Sequence, residues 1–233
     1  MSDSAGGYRR HSETSTGTGN VGRIAGLGTA LVALNVLLML ALSYTPVVSV
    51  GRALFSSFFL GVAAFAVSVG GGYWLADRGI RRGTTSLAVA GVALTQVGYG
   101  LFGATALSFA SPALRAPALG ISAVVTGLIT ALVTVVVYRT DRSFVGWSRY
   151  AGGLFIGGIA VGALGVFVAP VLVVVAGLLF FLGFVVDLVY EIWAIREGRY
   201  GTLRSALGVY IAVMGVFVHV LQWVLRLLAV LDQ

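Results

Sequence analysis

The sequence predicts an all-α integral membrane protein, a bundle of seven transmembrane helices, and three observations carry that prediction. Apolar residues make up 58% of the 233 residues and charged residues only 10%, with a mean hydropathy of +1.00; a water-soluble domain of this size carries about 25% charge. The apolar residues also fall into long, nearly unbroken runs. Between those runs the arginines gather in clusters that alternate between rich and poor.

The runs cover roughly 24 to 50, 53 to 76, 84 to 110, 116 to 138, 149 to 168, 170 to 193 and 204 to 230. Each is long enough to cross about 30 Å of hydrocarbon as a helix. Residues 1 to 22 precede them, rich in Ser, Thr and Gly, and with so little to bury they read as a disordered tail ahead of the transmembrane domain, 23 to 233. The polar tail and the unbroken first run do not have the layout of a signal peptide.

Arg9, Arg10 and Arg23 accompany the tail, and the second, fourth and sixth loops carry Arg78, Arg81 and Arg82, then Arg139, Arg142 and Arg149, then Arg196, Arg199 and Arg204. The opposite loops hold only Arg52 and Arg115, and Arg226 lies inside the last run. Arginine-rich loops stay in the cytoplasm. The pattern therefore predicts a cell-membrane protein with a cytoplasmic N-terminus and, after seven crossings, an external C-terminus.

A net charge of +7 would suggest nucleic acid in a soluble protein, but here the arginines occupy short juxtamembrane loops, where their partners are anionic headgroups of the bilayer. Nucleic acid is not an expected partner. The chain has no cysteine, which removes disulfides and thiolate chemistry. It also lacks H-E-x-x-H, G-x-S-x-G and a phosphate-binding glycine loop, and one of its two histidines, His11, lies in the tail. Although Ser108 and Ser122 offer hydroxyls, no base accompanies them. Neither an enzyme, a resident metal nor a cofactor is expected.

The 33 glycines read as packing devices, because helices in lipid approach most closely where side chains vanish. In the fifth run, GGLFIGGIAVGALG spaces Gly153 and Gly157, then Gly158 and Gly162, four apart. This helix is expected at the bundle centre. Gly70, Gly71 and Gly72 are read the same way, with Tyr73 and Trp74 after them as an interfacial aromatic belt. Ala169 and Pro170 leave almost no loop, so the fifth and sixth helices should form a tight hairpin.

Ionisable groups within the hydrocarbon mark function by default. Asp187 in LGFVVDLVYEIW is the clearest, with Glu191 one turn later on the same face. Two carboxylates there are poised for protonation or cation binding, with Asp187 deeper and Glu191 reaching towards headgroup water. The alternative is that both pair with Arg196 or Arg199 at the surface. On the last run Gly208, Ala212, Gly215, His219, Gln222 and Arg226 share a face. His219 could relay protons, or simply bond a backbone carbonyl. Asp187, Glu191 and His219 are thus the candidate ion-pathway or pH-sensing residues.

At this point the residues resemble a family. YRTDRSFVGWSRYAGGLFIGGIAVGALGVF, FVVDLVYEI and SALGVYIAVMGVF are similar to the loop, fifth, penultimate and last helices of the Bax inhibitor family, with matches over residues 138 to 228 and at Ala206, Leu207, Tyr210 and Phe217. The resemblance implies a helical bundle, a buried aspartate at Asp187 and a pH-sensitive calcium leak gated by a carboxylate pair. Here the second aspartate of that pair aligns with Ala212 and the following asparagine with Gly215, while Leu188 and Val189 replace polar neighbours, so the six to eight oxygens that calcium prefers are not visible. Two functions follow as expectations: a leak for calcium, protons or another cation, and a non-conducting membrane regulator or scaffold acting through protein partners.

Overall fold

A computed structural model describes residues 18–231, and the helices run α1 (Thr18–Ser43), α2 (Val48–Leu54), α3 (Phe58–Phe65), a π-helical turn (Ala66–Gly70), α4 (Gly71–Arg82), α5 (Thr85–Leu107), α6 (Pro112–Arg139), α7 (Trp147–Phe167), α8 (Val171–Arg196) and α9 (Thr202–Leu231). Among the described residues no strand is formed. α3, the π turn and α4 form one continuous rod, so seven rods are long and apolar enough to span a bilayer. The protein is an all-α, multi-pass membrane protein. Its outer faces carry rows of exposed Leu and Val, such as Val124, Leu128, Leu132 and Val135 on α6, suited to contact with lipid.

Boundaries depart from the sequence reading at two places. The first span ends at Ser43, and a short helix, α2, occupies what was read as its continuation and the start of the second. Thr45 and Pro46 fall between them in a turn, which an average over apolar residues does not register. α1 begins at Thr18, so residues 18 to 22 of the expected tail are helical; residues 1 to 17, with Arg9, Arg10 and His11, lie outside the described residues.

Helix ends leave carbonyls without partners, and arginines satisfy several of them. Arg196 donates to the carbonyls of Val137 at 2.5 Å and Thr140 at 2.6 Å, at the end of α6. At the other end of the bundle Arg115 donates to the Ser43 carbonyl at 2.7 Å and Arg52 to Ser108 Oγ at 3.1 Å, closing α1 and α5. These contacts put the arginine-rich loops together at one end and Arg52 and Arg115 at the other. The short turn between Phe167 and Val171 makes α7 and α8 the expected tight hairpin, with Gly165 against the backbone of Val173.

The centre of the bundle is α9, which corrects the expectation for the fifth span: 56% of the apolar window of α9 is buried, against 22% for α7. The physical reason lies in what the glycines meet. Gly153 has open space where a side chain would go and Gly157 only ordinary contact with Leu179, while Gly158 faces the Phe180 ring and Gly162 the Phe58 ring. Backbone-to-backbone packing is closest between α4 and α5, where Gly72, Ala76 and Gly79 interlock with Ala88, Gly91 and Thr95. Of the Gly70–Gly72 triplet only Gly72 packs this closely; Gly70 and Gly71 face open space.

Opposite faces of α9 meet different surroundings. On one, α1 and α5 close a dense interface around a polar staple: Asn35 donates to the Gln96 carbonyl at 2.9 Å, to Gln96 Oε1 at 2.5 Å and to the Tyr210 hydroxyl at 3.2 Å. Gln96 donates in turn to the Leu31 carbonyl at 3.0 Å, and Tyr99 to that of Ile211 at 2.9 Å. On the other face α9 encloses a cavity together with α3, α7 and α8.

Candidate functional site: a cavity ending at Asp187

The cavity holds about 720 Å³ and lies between α3, the π turn, α7, α8 and α9, with Phe102 of α5 completing the wall. On α8 it is lined by Val174 and Ala176 and by Val173, Gly177, Phe180, Phe184, Asp187 and Glu191, the latter six recurring every three or four residues along one helical stripe. On α9 the lining includes Gly208, His219, Gln222 and Arg226, so the polar members of the stripe read from the sequence face this space, while Ala212 and Gly215 are packed away from it. The π turn contributes Ala66, Val69 and Gly70; such an inserted turn shifts the helical face and is common beside functional sites.

Lining residues at the arginine-poor end, Ser56, Ser57, Trp223 and Arg226, are exposed, whereas Glu191 and Gly208 at the other end are buried. The cavity is therefore open towards the arginine-poor end and along its side at Ala66, Gly70 and Val174, and closed at the arginine-rich end. Its walls are mostly apolar, with the rings of Phe55, Phe58, Phe65, Phe155, Phe180 and Phe184 prominent.

A compact ionic cluster seals the blind end. Arg204 makes a two-pronged pair with Glu191, Nη1 to Oε2 at 3.2 Å and Nη2 to Oε1 at 3.1 Å, the fork geometry that suits guanidinium and carboxylate. Its Nε lies 3.3 Å from Asp77 Oδ1, and Asp77 also holds Arg81 at 2.5 Å. The rings of Tyr73 and Tyr200 stack over the Arg204 guanidinium at 5.0 Å and 4.6 Å. Gly208 makes room for the pair, because a Cβ there would collide with the Glu191 carboxylate.

Three sequence readings are corrected by this cluster. Glu191 does not reach headgroup water; it is 4% exposed and its charge is matched by Arg204. Arg204 is not a loop arginine but a half-buried residue in the first turn of α9. Tyr73 is not part of an interfacial belt, since its ring lies against that arginine, whereas Trp74 is exposed with Arg78 5.2 Å over its ring. Arg196 and Arg199, the alternative partners for the carboxylates, are occupied elsewhere: Arg196 closes α6, and Arg199 stacks 4.5 Å from Trp193.

Asp187 is left as the distinctive group. It lines the cavity one turn outward from Glu191, and among the described residues it has no hydrogen-bond or ion-pair partner, the recorded pairs going to Asp77, Glu191 and Glu197. The register of α8 against α9 is fixed by two close contacts, Phe184 on Gly215 and Glu191 on Gly208. Seven residues separate these contacts on each helix, so Asp187, three past Phe184, is level with Ala212, three before Gly215. The other candidate, His219, bonds the Gly215 carbonyl through Nδ1 at 2.7 Å, with its ring 5.7 Å from that of Phe184. It lines the outer half of the cavity, well apart from Asp187.

Among the described residues no group of three or more His, Cys, Asp or Glu could hold a metal ion. Sequence reasoning missed Arg204, Asp77, Asn35 and Gln96. The two amides had a readable signal, as polar side chains within otherwise apolar runs. Compared with known protein families, curated proteins and solved structures, the chain matches none.

Proposed function

We propose that this protein provides a pathway for protons or small cations along the α8–α9 cleft, captured here in a closed conformation. The observation that carries the reading is Asp187, an unpaired carboxylate at the blind end of an open cavity. A carboxylate so placed attracts a proton or cation, and the Arg204–Glu191–Asp77 cluster behind it is the barrier to be opened. Calcium is the less suitable ion, because it takes six to eight oxygens and here Glu191 is already engaged by Arg204.

The arginine-rich end is cytoplasmic in this reading, by the charge bias of the loops, so the cavity opens to the outside. Kinship with the Bax inhibitor family belongs to the same proposal. It is supported by the register, since Ala212, aligned with the family's second aspartate, lies across from Asp187. The chain would then be a member with half of the carboxylate pair.

Reconstitution in liposomes tests the proposal. Wild-type protein should release protons or sodium faster than bare lipid between about pH 5 and 8, and Asp187→Asn should abolish the excess. Ala212→Asp, which restores a second carboxylate, should alter its pH profile. No leak above the lipid background in wild type would leave the non-conducting regulator as the better reading.

A further inference from the structure

The shape and chemistry of the cavity fit something larger than an inorganic ion. A volume of about 720 Å³ falls within the range of roughly 300 to 1,000 Å³ typical of sites for drug-sized molecules, which are largely apolar with a few convergent polar groups. A hydrated metal ion would gain little from walls built of Phe55, Phe58, Phe65, Phe155, Phe180 and Phe184. A lipophilic cation gains from them twice, by burying apolar surface and by meeting the negative faces of aromatic rings.

Charge decides the sign of the ligand. The groups facing Asp187 are Glu191 on α8, Tyr73 on α4, Tyr99 on α5 and, from α9, Arg204. In the sealing cluster the two arginines, Arg204 and Arg81, are balanced by Glu191 and Asp77, so Asp187 is the uncompensated charge. Arg226 lies fourteen residues along α9 from Ala212, about 20 Å at 1.5 Å per residue, and stands at the exposed mouth. We infer that the α3–α8–α9 cavity binds a lipophilic organic cation, its charged centre on the Asp187 carboxylate and its apolar body among the phenylalanine rings.

This inference rests on the reading of Asp187 as a cation-attracting group, but it does not require conduction. Equilibrium binding of tetraphenylphosphonium to purified protein in nanodiscs tests it, with tetraphenylborate, of like shape and opposite charge, as the comparison. Saturable binding of the cation and not of the anion is expected, weakened at least tenfold by Asp187→Asn. Gly177→Phe provides a second variant that leaves the carboxylate intact: Gly177 lines the cavity with open space beside it, so the ring should fill the site and cause a similar loss without disturbing the melting profile. Equal binding of the two ions, or cation binding indifferent to both variants, would overturn the inference. Saturable cation binding in protein that leaks no ions would sustain it and remove the pathway; a leak without saturable cation binding would do the reverse.

Discussion

The two faces of α9 show what glycine and polar residues do under different tertiary circumstances. Towards α1, α4 and α5 the bundle is sealed: Gly72, Gly79 and Gly91 meet backbone, Gly100 and Gly103 meet the Leu38 and Met39 side chains, and Asn35, Gln96, Tyr99 and Tyr210 bond to one another or to carbonyls. Towards α3, α7 and α8 most glycines meet aromatic rings or open space, Gly165 against the Val173 backbone being an exception, and among the described residues Asp187 has no partner. Small residues bring two helix backbones closest where other small residues face them, as between α4 and α5. Elsewhere the same residues leave room.

The largest effect should come from the sealed side. A side chain at Gly91 would run into the backbone of Gly72 and Ala76, so Gly91→Leu is expected to abolish monodisperse folded protein in size-exclusion chromatography. Recovery of a wild-type profile would show that α4 and α5 can separate without penalty.

Arg204→Leu comes next. It strands Glu191 with a buried, unmatched charge, and breaking such a pair costs about 3–5 kcal/mol, readable as a lowered midpoint of unfolding in mixed micelles. The double variant Arg204→Leu with Glu191→Leu should recover part of the loss, because neither charge is then stranded. No recovery would mean that Arg204 acts mainly through Tyr73, Tyr200 and Asp77.

Asn35→Leu should be milder, about 1–2 kcal/mol, the upper range for hydrogen bonds between membrane helices. Gly157→Leu should be the smallest, within about 0.5 kcal/mol, since Gly157 has only a distant Leu179 methyl beside it. A large destabilisation there would restore α7 to the central place its sequence suggested.

Legibility in the sequence follows the same division. Seven spans could be read because their cause, continuous apolar length, is local, and Asp187 stood out because a carboxylate within such a run is conspicuous. Which glycines matter could not be read, for Gly153 and Gly157 have the same spacing and chemistry as small residues in α4 and α5; the difference is what lies opposite. Arg204 resembled every other arginine near a loop, and only the fold brings it between residues 77 and 191. Likewise the cavity is enclosed jointly by α3, α7, α8 and α9, a relation between distant segments that no window along one of them contains.

The central claim is that Asp187 is reachable from the arginine-poor side and shielded from the other. Because the natural chain has no cysteine, single-cysteine variants can report this directly in sealed vesicles with a membrane-impermeant cationic thiol reagent. Asp187→Cys should be modified when the reagent is on the arginine-poor side and protected when it is on the arginine-rich side, while Tyr99→Cys, at a position 0% exposed, should be protected from both. Modification of Asp187→Cys only from the arginine-rich side, or protection equal to that of Tyr99→Cys, would contradict the claim.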